Sequence, residues 1–304
     1  MMLNSQANSD PVLLKPSLTD GPLLDCHGDS KIGRLRTINQ DRFFIMSFVL
    51  DPLPKSHDSS DHADPARLTG TTGYVFGVAD GIGGAPAGER ASLLVAGTLK
   101  AFITEEITTL LRTGRPDGEI VETLSRGLKR CQAALAEEVR HHPEYSGMGT
   151  TLTAAVVLWP RLYLFHMGDS RAYLLREGTL RRLTQDQTYA RSLVDAGVLD
   201  SKSAERSKWK HVVWNVLGGK ASGGNPEVHP AVHIEDLRRD DILLLCTDGL
   251  TNPLTDETIR SLLLKGGSSE ELCRGLTDSA LEMRAQDDTT AVVARFADSK
   301  AEPG

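Results

Sequence analysis

The sequence predicts a single layered α/β domain, with mainly antiparallel sheets covered on the outside by helices. Three observations predict it. Strand-like runs are joined by connections short enough for hairpins, such as "WPR" and "REG". Helix-like stretches come in pairs. The blocks never settle into the β-α-β-α order that a parallel sheet requires.

Taken in order, residues 1–24 hold scattered Ser, Pro and Asp without a period and are expected to form a flexible arm. "DRFFIMSFV" is the first strand expected. Residues 51–72, "DPLPKSHDSSDHADPARLTGTT", read as a polar, Pro-bearing surface loop before the next strand, "YVFGVA". Residues 89–111 carry a helical stripe of Val95, Leu99, Phe102, Ile103, Ile107, Leu110 and Leu111. A second helix over 117–140 places Ile120, Leu124, Leu128, Cys131, Leu135 and Val139 on one face. "TLTAAVVLW", "LYLFHM", "AYLLR" and "TLRRLT" follow as strands, and 185–217 as an irregular, partly helical stretch. "EVHPAVHIE" and "DILLLCT" are strands, 255–264 and 268–284 helices, and "TTAVVARF" a closing strand before a short polar tail.

The chain has 304 residues, enough to bury a substantial core. Hydrophobic residues make up 39% and charged residues 25%, a soluble, globular balance. A net charge of −7 argues against a nucleic-acid partner, which calls for a basic face. No apolar run approaches the roughly 18–20 residues that span a bilayer, so no membrane association is expected. The N-terminus has no basic start followed by an apolar stretch, so no secretory signal is expected. Cys26, Cys131, Cys246 and Cys273 form no CxxC pair. They suit a reducing compartment, and a cytoplasmic location is expected.

The chemistry starts from the acids. "YVFGVA" ends in Asp80-Gly81, "LYLFHM" leads into Gly168-Asp169-Ser170, and "DILLLCT" ends in Asp248-Gly249. Asp287 and Asp288 stand just before "TTAVVARF", and Asp41 begins "DRFFIMSFV". Any one of these alone reads more readily as turn chemistry, because Asp-Gly is a common turn pair. Asp20-Gly21 and Asp117-Gly118, which lack a flanking apolar strand, fit that reading. Five together are different: acids gathered at one sheet edge repel one another unless cations hold them.

The candidate ligands are carboxylate oxygens, with the Gly81 carbonyl as a further candidate. Such hard oxygen donors favour Mg²⁺ or Mn²⁺. Zinc fits less well, since the nine histidines contain no HExxH. Arg36, five positions before Asp41, suits a two-pronged grip on phosphate, with Arg34 and Arg42 as competitors. "GIGGAPAGER" lacks both the Gly-Lys-Ser/Thr end of a P-loop and the third glycine of GxGxxG. A cysteine phosphatase needs Arg six residues after Cys, and those positions hold Ile32, Glu137, Asn252 and Ser279.

Read together, "RTINQDRF", "GVADGIGGAPAGERAS", "GMGTTLTAAVV", "HMGDSRAYLLREGTLRRLTQDQT", "LLLCTDGLTN" and "QDDTTAVVARF" resemble, in order, the PP2C-type (PPM) metal-dependent protein serine/threonine phosphatases of bacteria. The resemblance covers about 28–297. It implies an α-β-β-α sandwich of two sheets flanked by helix pairs over 25–297, with 185–217 as a flap and 298–304 as a tail. It implies two Mg²⁺ or Mn²⁺ ions bound by Asp80, the Gly81 carbonyl, Asp248 and Asp287. Asp41 would act near them through water, Asp169 would serve a weaker third site, and Arg36 would hold the substrate phosphate. The implied reaction is hydrolysis of phosphoserine and phosphothreonine, in proteins modified by a serine/threonine kinase, by a metal-bridged water without a phospho-enzyme. Selectivity for one regulator would sit in the 51–72 loop and the flap.

Five positions depart from the family pattern: Gln40, Ile82, Ala85, Asn252 and Asp288. Ile82 stands where eukaryotic members carry a His proposed as general acid. The competing reading is a catalytically weak phosphoprotein-binding regulatory module on the same scaffold. The presence of Asp80, Asp248 and Asp287 weighs against it, since degenerate copies lose metal carboxylates.

Overall fold

The apolar runs become strands buried on both faces. In a computed structural model describing residues 23–50, 71–84, 87–107, 116–219 and 227–297, they form two antiparallel sheets. One sheet runs β1 (Leu23–Lys31), β12 (Thr289–Ala297), β11 (Ile242–Cys246), β7 (Arg171–Arg176), β8 (Thr179–Arg182). The other runs β10 (Ala231–Asp236), β6 (Arg161–Met167), β5 (Leu152–Leu158), β3 (Thr71–Ile82). Strand β2 (Asp41–Leu50) also pairs with β3, and the short β4 (Gly149–Thr150) and β9 (Leu217–Gly218) extend from the tip of β3.

Alternation along each strand divides its side chains between two cores. Phe76, Val78, Ala155 and Val157 meet Leu243, Leu245, Val292 and Ala294 between the sheets. The intervening Val75, Ala79, Ala154 and Val156 pack on the helix layer of α1 (Ala87–Phe102) and α2 (Asp117–His141). On the opposite outer face, Tyr173, Leu244, Ala291 and Val293 share a core with α6 (Asp256–Leu263) and α7 (Ser269–Glu282). This is the expected α-β-β-α sandwich. A strand covered on both sides has no solvent face, which is why these segments read as continuous apolar runs.

Helix α1 buries Ala87, Ala91, Val95, Leu99 and Phe102 at three- and four-residue spacing. It crosses α2 at Gly127, where a Cβ would come within 2.6 Å of the Phe102 ring. Helix α7 starts on a capping box, Ser268 with Glu271. Three short helices, α3 (Tyr189–Asp195), α4 (Ser201–Glu205) and α5 (Asp248–Thr251), lie within 185–217 and in the turn after β11.

Three expectations need correction. The helix expected over 89–111 starts at Ala87, ends at Phe102 and continues as one wider π turn, Ile103–Ile107; Leu110 and Leu111 lie outside the described residues. Strand β1 was not expected, and it begins at Leu23, inside the segment read as an arm. Only Leu24 and Cys26 of β1 reach the inter-sheet core, so its pattern is too polar to stand out. The strand expected over 227–235 forms only from Ala231. The rest of the 1–24 arm, 51–70 of the loop, Ala85 and the 298–304 tail lie outside the described residues.

Candidate active site

Antiparallel pairing brings the strand-end acids to one end of the sandwich. Asp41 opens β2 and stands directly opposite Asp80 near the end of β3. Asp248 follows β11, whose last residue Cys246 pairs with Ala291, two residues into β12 and just beyond Asp287 and Asp288. Cys246 also pairs with Arg171, the first residue of β7, two positions after Asp169. The turn that carries Asp169 needs glycine: Gly168 has φ +110°, and a Cβ there would lie 2.5 Å from Thr151.

A cleft of about 800 Å³ opens over this end, lined by Arg36, Asp80, Gly81, Asp248 and Asp287. A smaller cavity of about 220 Å³ adjoins it beside α3 and α4 and is lined by Asp169 with Arg171 and Asp186. Asp248, Asn252, Lys210 and His211 line both spaces.

Asp41 is 1% exposed, and its Oδ2 accepts hydroxyls from Thr247 and Thr290, each at 2.7 Å. With the Thr290 proton committed to Asp41, Ser30 must donate to Thr290 (2.7 Å) and Asn39 donates to Ser30 (2.9 Å). The relay leaves Asp41 Oδ1 buried with no hydrogen-bond partner, and Asp248 Oδ1 is in the same state. Asp248 Oδ2 accepts from Asn252 Nδ2 at 3.0 Å, and His211 Nδ1 stands 3.8 Å from it.

Burial is the main cause raising the carboxyl pKa values of Asp41, Asp80, Asp169 and Asp248 above the ordinary range. Mutual repulsion adds to it: Asp80 feels Asp41, Asp248, Asp169 and Asp287. Acids so placed are costly unless neutralised, and nearby cations would reverse the shift. Among the described residues, no group of three or more His, Cys, Asp or Glu side chains stands close enough together to hold a metal ion as it is. The fit to a hard divalent cation rests instead on donor chemistry: oxygens only, two of them buried and unpartnered.

Arg36 grips Asp287 with two prongs, Nε to Oδ1 at 2.7 Å and Nη2 to Oδ2 at 2.6 Å. That bond is the largest cause raising the Arg36 pKa. Its competitors are placed elsewhere. Arg42 pairs with Glu89 at 2.7 Å, and the exposed Arg34 is not among the cleft-lining residues. Asn252 holds Asp248, and Ile82 lines the cleft. Gln40 packs over Gly88, where a Cβ would come within 2.3 Å of its Oε1. Asp288 accepts backbone N–H groups with both oxygens, from Gly33 at 2.9 Å and Gln40 at 2.7 Å.

The four cysteines are free and buried. Burial pushes the thiols of Cys26, Cys131 and Cys246 up to about 12, and that of Cys273 in the same direction, so none is suited to be a nucleophile. Sequence reasoning missed Thr247 and Thr290, although each stands within three residues of a strand-end acid. It also missed Lys210 and His211, whose place at the cleft depends on the path of 185–217. Among the described residues, no helix is long and apolar enough to cross a membrane.

Comparison with known proteins bears on the family and the fold. The profile of the Protein phosphatase 2C family matches residues 60–282. The serine/threonine protein phosphatase PstP of Mycobacterium tuberculosis is 36% identical over 224 residues, 74% of this chain, which spans only 40% of the length of that relative. The serine/threonine phosphatase stp of Listeria welshimeri is 30% identical over 216 residues, 71% of this chain and 82% of that protein. The crystal structure of the Mycobacterium tuberculosis phosphatase PstP/Ppp superposes with a TM-score of 0.71 at 31% identity, covering 90% of this chain and 99% of that one. A crystal structure of the PstP catalytic domain with two manganese ions gives a TM-score of 0.68 at 31% identity over the same shares. With the strand-end acids brought to one end of an α-β-β-α sandwich, the chain belongs to the protein phosphatase 2C family.

Proposed function

We propose that the chain hydrolyses phosphoserine and phosphothreonine in proteins, using two divalent cations. The observation that carries this reading is the pair of buried, unpartnered carboxylate oxygens on Asp41 and Asp248, whose charges both act on Asp80. Asp80, the Gly81 carbonyl, Asp248 and Asp287 would hold Mg²⁺ or Mn²⁺, with Asp41 acting through water and Asp169 serving a weaker third site. When bound, these cations would supply Lewis acidity that lowers the pKa of a bound water, making hydroxide available near neutral pH for attack on phosphorus.

The chain's own groups do the rest. Arg36 exchanges part of its grip on Asp287 for the phosphate oxygens, and its fork suits their geometry. Thr247 and Thr290 fix the Asp41 carboxylate, so that its free oxygen keeps one orientation. Gly81 lets backbone approach closely: a Cβ there would lie 2.1 Å from the Gly88 carbonyl oxygen. No protein nucleophile is required, and no phospho-enzyme forms. The substrates in this reading are proteins phosphorylated by a serine/threonine kinase, met in the cytoplasm.

The test is turnover of p-nitrophenyl phosphate with added Mn²⁺, with and without a chelator. Chelator-sensitive turnover is expected. A folded protein that binds phosphopeptide but shows no metal-dependent turnover would instead be the regulatory module.

A further inference from the structure

We infer that Asp288 is a positioning residue: its carboxylate clamps both ends of segment 33–40 and thereby sets where Arg36 stands. The inference rests on the reading of Arg36 as the phosphate grip. After β1 ends at Lys31 the chain leaves the sheet, carries Arg36 along the cleft and returns at Asp41. The exit and return are marked by two backbone N–H groups, those of Gly33 and Gln40. Asp288 takes both, Oδ1 from Gly33 at 2.9 Å and Oδ2 from Gln40 at 2.7 Å, and is itself 2% exposed.

The surrounding contacts make the clamp specific. Arg34 N donates to Ala285 O and Leu35 N to Gln286 O, each at 3.2 Å, so the segment rides on 285–288. Gly33 is pressed onto that backbone: a Cβ would lie 2.4 Å from Asp287 O and 2.6 Å from Gln286 O. A turn closed by Arg36 N to Gly33 O at 3.1 Å then presents the guanidinium to Asp287. The two neighbouring acids thus divide the work. Asp287 meets the guanidinium, while Asp288 holds the backbone that carries it.

A carboxylate meets this demand directly. Two N–H donors converge on one side chain, and a carboxylate offers an acceptor to each. Asparagine is the same size but offers one acceptor, and its amide N–H₂ would confront the second donor. With both oxygens engaged by backbone, Asp288 is separated from the ligand set proposed for Asp80, Asp248 and Asp287.

The experiment compares the full chain with Asp288→Asn and Arg36→Ala in Mn²⁺, using p-nitrophenyl phosphate as substrate and inorganic phosphate as competitive inhibitor. Asp288→Asn is expected to raise KM and the phosphate inhibition constant about tenfold, with kcat changed less than about threefold. The Mn²⁺ concentration for half-activation should move less than about twofold, since no ligand is lost. A shift in Mn²⁺ half-activation with phosphate inhibition unchanged would make Asp288 a ligand and overturn the proposal. So would an Asp288→Asn protein with normal phosphate inhibition when Arg36→Ala has lost it. If Arg36→Ala leaves phosphate inhibition intact, the grip itself is misassigned and the clamp falls with it. Should Asp288→Asn not fold, hydrogen exchange in the unaltered protein decides: the Gly33 and Gln40 amides should exchange slowest in 32–40, and fast exchange of both sinks the clamp.

Discussion

Replacing His166 by Gln should change how stability depends on pH. His166 lies on β6, is 2% exposed and bridges two segments. Its Nε2 faces the Gln185 carbonyl at 3.1 Å and therefore carries a proton. Its Nδ1 then accepts from the Thr153 hydroxyl at 2.9 Å. The bond accepted from Thr153 needs the neutral ring, and burial holds the pKa down at about 4 against an ordinary 6.5. Because the unfolded chain takes up the proton first, stability attributable to this ring is intact above the unfolded value and declines as pH falls towards the folded one. The loss works out at about 2 kcal/mol by about pH 5 and about 3 kcal/mol below pH 4. Urea unfolding followed by tryptophan fluorescence, in chelator, from about pH 7 to about pH 5, measures it. Loss of the buried bonds should leave the Gln variant about 1 kcal/mol less stable near pH 7. The stability difference between the two proteins should then swing by about 2 kcal/mol in favour of the variant by pH 5. A difference that stays constant with pH would refute the buried, neutral ring.

Asp248→Asn removes a buried charge with an unpartnered oxygen. In chelator it should melt about 3 °C higher, while Mn²⁺-dependent turnover drops about 100-fold or more; a lower melting point or full turnover would contradict the charge argument. Gly81→Ala drives a Cβ against the Gly88 carbonyl at 2.1 Å and the Gln40 carbonyl at 2.9 Å. It should cost about 1–3 kcal/mol by denaturant titration, because backbone lies on both sides. Gly88→Ala meets the tip of the Gln40 side chain first, at 2.3 Å, and should cost less; equal costs would show that the helix start moves freely. Arg36→Lys keeps a charge near Asp287 but loses the fork. It should raise KM for p-nitrophenyl phosphate about tenfold, and an unchanged KM would argue against a two-pronged grip.

The strand-end acids were legible because each stands at the edge of an apolar run, and antiparallel pairing alone then sends Asp41 to Asp80. Other parts left no local trace. Strand β1 shows the inter-sheet core only Leu24, Cys26 and the flat face of Gly28, over which Phe43 lies. The duty of Asp288 depends on backbone groups 255 and 248 residues away, which no spacing rule reaches. Likewise, Arg36 could be separated from Arg34 only by the turn at Gly33, which decides which guanidinium reaches Asp287. The helix stripe continued to Leu111 on paper because a π turn keeps Ile103 buried while changing the period beyond Phe102.

The β2–β3 hairpin remains in register along its full length, from Asp41 opposite Asp80 to Leu50 opposite Thr71. Nine residue steps, about 30 Å, separate the acidic end from the end where 51–70 is spliced in. Lengthening that connection is cheap, about 0.6 kcal/mol per doubling. The hairpin therefore insulates the chemistry from its own connection: whole modules could be grafted there, by evolution or in the laboratory, while catalytic geometry stays put.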